Sequence, residues 1–351
     1  MSLREVQAGR LFDDATTDEQ RVRLYVRPGE LDLPSRADVE LMRRLKDRAA
    51  PQRMQIVGPS GAGKTSLIMR VLADLAAARL EPSPQVLVLR VGDDPESLAS
   101  STAVMKLVLG TIEAQKYQFS NVDPKVLQEA GADTVNETPA HATHQIGISP
   151  PLASYTAQIE ETFKQFSQGD NPARVRQNLQ DVLATVIQAG HRPVLVLDDT
   201  EKFVTAGGDE GVDAEAISNL YNHGVRALAE LAVDLVIAAH PRFEQIGQVA
   251  EVTGRFAIER IDCPQLPPES EPAALAEILA RRLEHGGVTA DLETVIEPAA
   301  VAALQVVYHD RDSNLRAALT AAHEAVDHAL MRGAATVEAR DVRSILAQRS
   351  R

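Results

Sequence analysis

The stretch Gly58-Pro59-Ser60-Gly61-Ala62-Gly63-Lys64-Thr65 decides how this chain of 351 residues folds. It follows a short apolar run, Met54 to Val57, and precedes an amphipathic helical pattern from Thr65 to Leu80. Glycines let backbone N–H groups converge on phosphate oxygens, and the helix directs the positive end of its dipole at them. An ordinary glycine-rich turn is the alternative, but Lys-Thr directly after the last glycine is the spacing of a phosphate-binding loop.

Two side chains at the end of this loop have separate predicted roles. Lys64 is expected to reach the β- and γ-phosphates of a nucleotide, and the Thr65 hydroxyl to bind Mg²⁺, a hard cation that prefers oxygen donors. The predicted nucleotide-binding residues of the loop are Gly58, Pro59, Ser60, Gly61, Ala62, Gly63, Lys64, Thr65 and Ser66. The sequence therefore predicts ATP and Mg²⁺ as cofactors.

An acidic motif follows a second apolar run, Val194 to Leu197, which ends in Asp198-Asp199. Asp198 at the strand tip is placed to hold Mg²⁺ through water, and Asp199 to orient or deprotonate the attacking water. Glu201 competes with Asp199 for the second role. A solvated acidic turn after a strand is the alternative, and the presence of the phosphate loop argues against it.

The pattern of apolar runs and helical periods predicts the fold class. Five short runs rich in Val, Ile and Leu indicate buried parallel strands. They are Met54–Val57, Gln85–Val91, Pro193–Leu197, Val233–Ala239 and Phe256–Ile261. Helical patterns lie between them, and only helical patterns follow Pro264. We expect an α/β fold: a P-loop NTPase with a five-stranded parallel sheet, followed by a small all-α lid.

The chain divides into three predicted parts. Residues 1–50 form an N-terminal extension with a leading helix from about 36 to 49. Residues 51–264 form the nucleotide-binding core, with an elaborated insertion at about 92–190 whose polar segment 117–151 is expected to be irregular. Residues 265–351 form the helical lid. Further helices are expected at about 95–115, 154–166, 171–189, 213–231, 271–285, 297–309, 311–331 and 337–349.

Composition limits the class of protein. The chain is 44% apolar. Its 36 Lys and Arg residues against 50 Asp and Glu residues give a net charge of −14, which argues against a protein whose whole surface binds nucleic acid. The single cysteine, Cys263, excludes an intramolecular disulfide and suits a small buried side chain. No run approaches the roughly 18 apolar residues of a membrane span. We expect a soluble, cytoplasmic protein without membrane contact.

Taken together, these motifs resemble the AAA+ ATPases, in particular the branch that contains the Orc/Cdc6 initiators, the TnsC-type transposition regulators and the STAND switch ATPases. The resemblance covers about residues 33 to 349. In that family a polar sensor residue follows the fourth strand, and His240 stands there in this sequence. Most members have Asn, Thr or Ser at this position. A neutral imidazole can still hydrogen-bond the attacking water or the γ-phosphate, whereas a histidine that merely ends a strand is the alternative.

The resemblance also implies roles for two arginines. Arg255, in Gly254-Arg255-Phe256, resembles the arginine finger that reaches the nucleotide of a neighbouring subunit. Arg242 and Arg260 are rival candidates. Arg316, in the stretch from Asp312 to Ala318, resembles the sensor 2 arginine of the lid, which touches the γ-phosphate. Plain surface arginines are the alternative at both positions.

The function that the resemblance implies is an ATP-hydrolysing assembly switch. ATP binding between copies of the chain would order a ring or filament that recruits or regulates a partner protein. Double-stranded DNA is a further partner that TnsC-like regulators suggest. The basic run that would face it is Arg43, Arg44, Lys46, Arg48 and Arg53, for which a solvated helix face is the alternative.

Two other functions are compatible with the sequence. One is a low-turnover ATP-binding sensor subunit of a defence or signalling complex, suggested by two departures from the family pattern: Asp199, where AAA+ enzymes usually have Glu, and His240. The other is a small-molecule kinase that shares the phosphate loop; a sensor-like lid fits it less well.

Overall fold

The computed structural model describes residues 3–12, 18–31, 33, 35–47, 49–78, 83–90, 100–114, 172–204, 212–266, 271–311 and 313–349. Its contacts divide the chain into two compact units. The loop–lid unit comprises Met1–Glu40, Gly58–Val71 and Asp262–Arg351, and the sheet unit comprises Leu41–Val57 and Leu72–Ile261. The predicted segment 117–151 and the predicted helix at 154–166 lie outside the described residues. The predicted three-part division of the chain stays a prediction.

Within the described ranges, the strands form one five-stranded sheet in the order β2-β3-β4-β1-β5. They are β1 (Arg53–Val57), β2 (Ser83–Arg90), β3 (His191–Asp198), β4 (Asp234–Ala239) and β5 (Glu259–Asp262). Pairing is parallel between β2 and β3, β3 and β4, and β4 and β1. Every residue of β4 is buried, as expected of a central strand covered on both faces. The predicted five-stranded parallel sheet is confirmed.

The helices alternate with these strands and then continue alone. In chain order they are α1 (Leu3–Ala8), α2 (Asp18–Leu24), α3 (Ala37–Lys46), α4 (Lys64–Ala77), α5 (Ser101–Ala114), α6 (Pro172–Gln188), α7 (Ala214–Asn219), α8 (Arg226–Ala229), α9 (Gly247–Arg255), α10 (Glu271–His285), α11 (Leu292–Val295), α12 (Pro298–Asp310), α13 (Leu315–Met331) and α14 (Ala339–Arg349). None of the described helices combines the length and the apolar composition that a membrane span requires.

Two predicted starts are wrong, and a positive φ angle explains each. The strand expected from Phe256 begins at Glu259, because Ala257 has a left-handed backbone with φ of 49°. The helix expected from Arg311 begins at Leu315, because Ser313 has φ of 61° and Asn314 is extended. The helix expected over 213–231 contains a π-helical segment, Leu220–Val225, between α7 and α8.

The sheet unit is tied together at the amino ends of its strands by Asp234, which is buried at the start of β4. Its carboxylate accepts a hydrogen bond from the Gln52 N–H at 2.7 Å and pairs with Arg192 of β3. Arg192 also donates to the Asp47 carbonyl at 2.8 Å. A buried carboxylate is stable only when paired in this way, so Asp234 holds β3, β4 and the entry to β1 in register.

The loop–lid unit includes the N-terminal segment as well as the lid. Its apolar core joins Leu3, Val6, Leu11 and Phe12 to side chains of the lid helices. Arg282 of α10 is buried and donates to the carbonyls of Leu11 at 3.1 Å and Leu24 at 3.4 Å. Arg70 of α4 donates to the Val22 carbonyl at 3.2 Å. Carbonyls in the last turn of α2, those of Val22 and Leu24, therefore receive hydrogen bonds from the helix after the phosphate loop and from the lid.

A buried carboxylate also fixes the last two helices of the lid. Asp341 of α14 is fully buried and accepts hydrogen bonds from Arg332, from the Glu338 N–H at 2.8 Å and from the His328 ring at 2.8 Å. Burial raises the pKa of the Asp341 carboxyl, but these donors outweigh burial and lower its pKa from 3.8 to about 2.

Asp341→Asn should lower the free energy of unfolding at pH 7 by about 2 kcal/mol, because the lowered pKa favours the folded state by that amount. A depressed carboxyl pKa contributes stability above the unfolded value of 3.8 and loses it as the pH falls through about 2. Urea unfolding of wild type and variant from pH 7 downward should therefore show a gap that narrows below about pH 4. Glu338→Gln is the matched control, with a smaller effect. A difference in the free energy of unfolding that stays constant over this pH range would contradict a lowered pKa for Asp341.

Candidate nucleotide site

The phosphate loop is described at every position from Gly58 to Thr65 and leads directly from β1 into α4. Gly61 has φ of 72° and Gly63 has φ of 92°, a left-handed backbone that glycine adopts without strain. Lys64 is the first residue of α4 and is buried. Its Nζ donates to the carbonyls of Gly58 and Pro59, each at 2.9 Å. The loop thus surrounds the ammonium group that the sequence assigns to the phosphates.

The lid helix α13 begins against this loop. The backbone N–H of Arg316 donates to the Gly61 carbonyl at 3.2 Å. Asn314, which caps α13, lies so close that a Cβ built on Gly61 would be 1.9 Å from its Oδ1. The structure therefore brings the predicted lid arginine to the phosphate loop, with its side chain exposed.

Cys263 also contacts the loop, which the sequence did not indicate. Its thiol donates to the Ala62 carbonyl at 3.4 Å. Burial raises the pKa of this thiol to about 12, although Lys64 opposes the shift, so the cysteine stays protonated at neutral pH. The predicted small buried side chain is confirmed, and it packs on the loop.

The acidic motif ends β3, as predicted. Asp198 is the last residue of the strand and is buried. Asp199 follows with φ of 59°, a left-handed conformation that Asp tolerates better than most residues. Glu201 lies in the short 3₁₀ helix Thr200–Phe203, whose Thr200 hydroxyl bonds the Ala238 carbonyl of β4. This bond holds the acidic turn to the end of the neighbouring strand.

His240 directly follows β4 and is buried. Its Nδ1 accepts a hydrogen bond from the Arg242 N–H at 3.3 Å. An accepting Nδ1 carries no proton, so the neutral ring carries its proton on Nε2 and can donate from there. In the sheet, Ala239 pairs with Val57, and each is followed in the chain by a predicted site residue, His240 and Gly58.

The three candidate finger arginines differ in their surroundings. Arg260 is paired with the Glu244 carboxylate within the same chain. Arg242 belongs to the 3₁₀ helix Pro241–Gln245. Arg255 is the last residue of α9, is exposed, and places its guanidinium 5.6 Å from the centre of the Phe256 ring. An arginine stacked on an aromatic ring is held in place while its N–H groups stay available. This comparison favours Arg255 over Arg260.

The predicted basic run is divided by its contacts. Arg44 pairs with Glu259, and Arg53 donates to the Ala229 carbonyl at 2.9 Å. Arg43 and Lys46 are exposed on α3, and Arg48 lies outside the described residues. A pair with a carboxylate cancels the charge that a phosphate would need, so the basic face is smaller than the sequence indicated.

The predicted Mg²⁺ ligands have the right chemistry. Thr65, in the first turn of α4, offers a hydroxyl, and Asp198 offers a carboxylate at the end of β3. Oxygen donors of these two kinds are those that Mg²⁺ takes beside nucleotide phosphates. Each of these two residues therefore has the donor chemistry that the metal takes.

Gly61→Ala should destabilise the protein more than Gly63→Ala, as measured by thermal unfolding without nucleotide. Both substitutions force alanine into a left-handed backbone, which costs about 1–2 kcal/mol. Only at Gly61 would the new Cβ also clash with Asn314, whereas nothing lies within 4 Å of a Cβ at Gly63. Gly110→Ala, in the open interior of α5, is the control and should be neutral or stabilising. Equal losses at 61 and 63 would mean that Asn314 does not press on the loop.

Comparisons with known proteins agree with this fold. Neither a family model nor a curated protein sequence matches the chain. Among solved structures, the Aeropyrum pernix ORC1 protein in complex with DNA aligns with a TM-score of 0.52 and 17% identity, over 93% of this chain and 69% of that one. The Aeropyrum pernix ORC2 protein in ADPNP–ADP complexes aligns with a TM-score of 0.52 and 16% identity, over 97% of this chain and 71% of that one.

These identities are low, so the likeness establishes the fold. The predicted resemblance to the Orc/Cdc6 branch is confirmed at that level. The chain shares the fold of the Aeropyrum pernix ORC1 and ORC2 proteins.

Proposed function

We propose that this chain is a Mg²⁺-dependent ATPase that works as an assembly switch. The observation that carries the proposal is the phosphate loop between β1 and α4, with the lid helix α13 hydrogen-bonded to its Gly61 carbonyl. A lid attached to the loop can respond to what the loop binds. The nucleotides named for the ORC2 protein, ADP and ADPNP, support the choice of ligand.

The contacts around the loop support phosphate binding. The Pro59 carbonyl accepts from Lys64, and the Ala62 carbonyl accepts from Cys263. The C=O and N–H of a trans peptide unit point in opposite directions. These two contacts therefore point the N–H groups of Ser60 and Gly63 away from Lys64 and Cys263, where they can donate hydrogen bonds to phosphate oxygens. Lys64 adds a positive charge beside them.

Hydrolysis needs a positioned water as well as bound phosphates. In the proposal, Thr65 and Asp198 hold Mg²⁺, which supplies positive charge to the phosphate oxygens. Asp199 orients or deprotonates the attacking water, with Glu201 as the competing residue. His240 donates a hydrogen bond from Nε2 to that water or to the γ-phosphate. Its Nδ1, occupied by the Arg242 N–H, keeps the ring in the donating tautomer.

The output of the switch passes through other molecules. Arg316 would contact the γ-phosphate, so the lid would distinguish ATP from ADP. Arg255 would reach the nucleotide of a second copy, and this makes hydrolysis depend on a homo-oligomeric ring or filament. Such an assembly would recruit an effector or client protein. Double-stranded DNA is a further partner, which the DNA complex of the ORC1 protein supports.

A low-turnover sensor subunit is the second candidate. Asp199 favours it, because its carboxylate is one methylene shorter than the usual Glu and its backbone is left-handed. Both candidates require ATP binding, but only the first requires turnover. Hydrolysis therefore separates them.

Nucleotide binding and turnover test the proposal together. Lys64→Ala should abolish binding of a slowly hydrolysed ATP analogue, measured by calorimetry. Asp199→Asn should retain that binding and lower kcat by about 10²–10⁴, because it removes a general base. Glu201→Gln should leave kcat within a few-fold; the reverse pattern would assign the water to Glu201. Wild-type binding without measurable turnover would support the sensor subunit, and no binding would overturn the proposal.

Arg255→Ala should lower assembly-dependent ATP turnover by about 10³ or more while nucleotide affinity stays within a few-fold. The measurement is turnover against protein concentration, together with light-scattering mass with and without the ATP analogue and a short duplex. We expect the wild-type mass to rise with the analogue.

Arg260→Ala is the matched control for this experiment, because Arg260 is an exposed arginine nearby that is already paired with Glu244. It should behave as wild type. Equal turnover in the wild type and Arg255→Ala would show that Arg255 does not act as an arginine finger.

A further inference from the structure

Asn314 is the residue through which the lid helix meets the phosphate loop. Its Oδ1 accepts a hydrogen bond from the Ala317 N–H at 3.0 Å and so caps α13. The same oxygen lies in the space that a side chain on Gly61 would fill. A single side chain therefore closes the first turn of α13 and sets how closely that turn approaches the loop.

Arg316 depends on this contact for its position. It is the second residue of α13, within the turn that the Asn314 cap closes. Its backbone N–H bonds the Gly61 carbonyl, while its side chain is exposed. The first N–H groups of a helix have no partner within the helix, so an uncapped first turn frays. A frayed turn would loosen the backbone that carries the Arg316 side chain and joins it to the loop.

The backbone before the helix makes the cap more important. Ser313 is in the left-handed region with φ of 61°, and Asn314 is extended with φ of −86° and ψ of 98°. The chain thus turns sharply just before α13. Asn314 is the residue at this turn that both caps the helix and contacts the loop.

We propose that Asn314 is a positioning residue for Arg316 and thereby sets the preference of the site for a nucleoside triphosphate over a diphosphate. A guanidinium held at a fixed distance from the loop favours the ligand whose terminal phosphate it meets, and ADP lacks that phosphate. The inference rests on the proposed function, because it requires that the loop bind ATP and that Arg316 contact the γ-phosphate.

The test compares the dissociation constants of ATPγS and ADP by calorimetry. Asn314→Ala removes the cap, and we expect the ATPγS affinity to fall about fivefold while the ADP affinity stays within about twofold. Asn314→Ser keeps a capping oxygen and should restore most of the preference. An equal loss for both nucleotides, or no loss for either, would overturn the proposal.

Asp213→Ala is the matched control. Asp213 caps α7 in the sheet unit through the same bond, to the Ala216 N–H at 2.9 Å. Its loss should lower the melting temperature without changing the ratio of the two dissociation constants. A changed ratio in this variant would show that the ratio reports general loss of a helix cap, and this would overturn the proposal.

A double-variant cycle tests whether Asn314 acts through Arg316. Once Arg316→Ala has removed the guanidinium, adding Asn314→Ala should weaken ATPγS binding no further, so the two effects are not additive. Additive losses would show that Asn314 acts on the nucleotide by another route and would contradict the proposal.

Asn314→Asp keeps the cap but places a negative charge beside the loop. It should melt near the wild-type temperature and bind both nucleotides at least about tenfold more weakly at low salt, with a smaller loss at high salt. Wild-type affinity in this variant would mean that the start of α13 lies away from the bound phosphates and would overturn the proposal. If the wild-type protein binds neither nucleotide, the proposed function itself is wrong. If the wild-type protein binds both and the Asn314 variants do not behave as expected, only the role of Asn314 is wrong.

Discussion

The backbone hydrogen bond from the Arg316 N–H to the Gly61 carbonyl is the constraint on which the site depends. It fastens the start of the lid helix to the phosphate loop within one compact unit. Cys263 and Lys64 donate to further loop carbonyls, so the loop is held in place through its acceptors. In the proposed function, phosphate binding and the position of the lid helix therefore involve the same few peptide units.

The residues proposed to act on the attacking water lie at the carboxyl ends of strands. In a parallel sheet the carboxyl ends of neighbouring strands share one edge, and the residues that follow them gather there. Asp198 ends β3 and His240 follows the neighbouring β4, both within the sheet unit. The left-handed backbone of Asp199 and the occupied Nδ1 of His240 then fix how each group can act. Strain at a site of this kind is consistent with a functional turn.

Much of this could be predicted from the sequence, because the decisive signals are local. Buried parallel strands appear as short apolar runs, and the phosphate loop is contiguous. The contacts of Cys263 with Ala62 and of Asn314 with Gly61 could not be predicted, since their partners lie more than 200 residues away in the chain. The boundary errors at Phe256 and Arg311 arose because periodicity does not register single residues with positive φ. The pairing of Arg260 with Glu244 could not be predicted either, because only the fold brings these two side chains together.

Amide hydrogen exchange with and without an ATP analogue tests the central claim most directly. We expect the analogue to slow exchange in two separate stretches, the phosphate loop at 58–66 and the start of the lid helix at 314–318. ADP should protect the first stretch and protect the second less. Protection of the loop alone, with the lid helix unchanged by the analogue, would contradict the claim that the lid reads the bound nucleotide through Gly61.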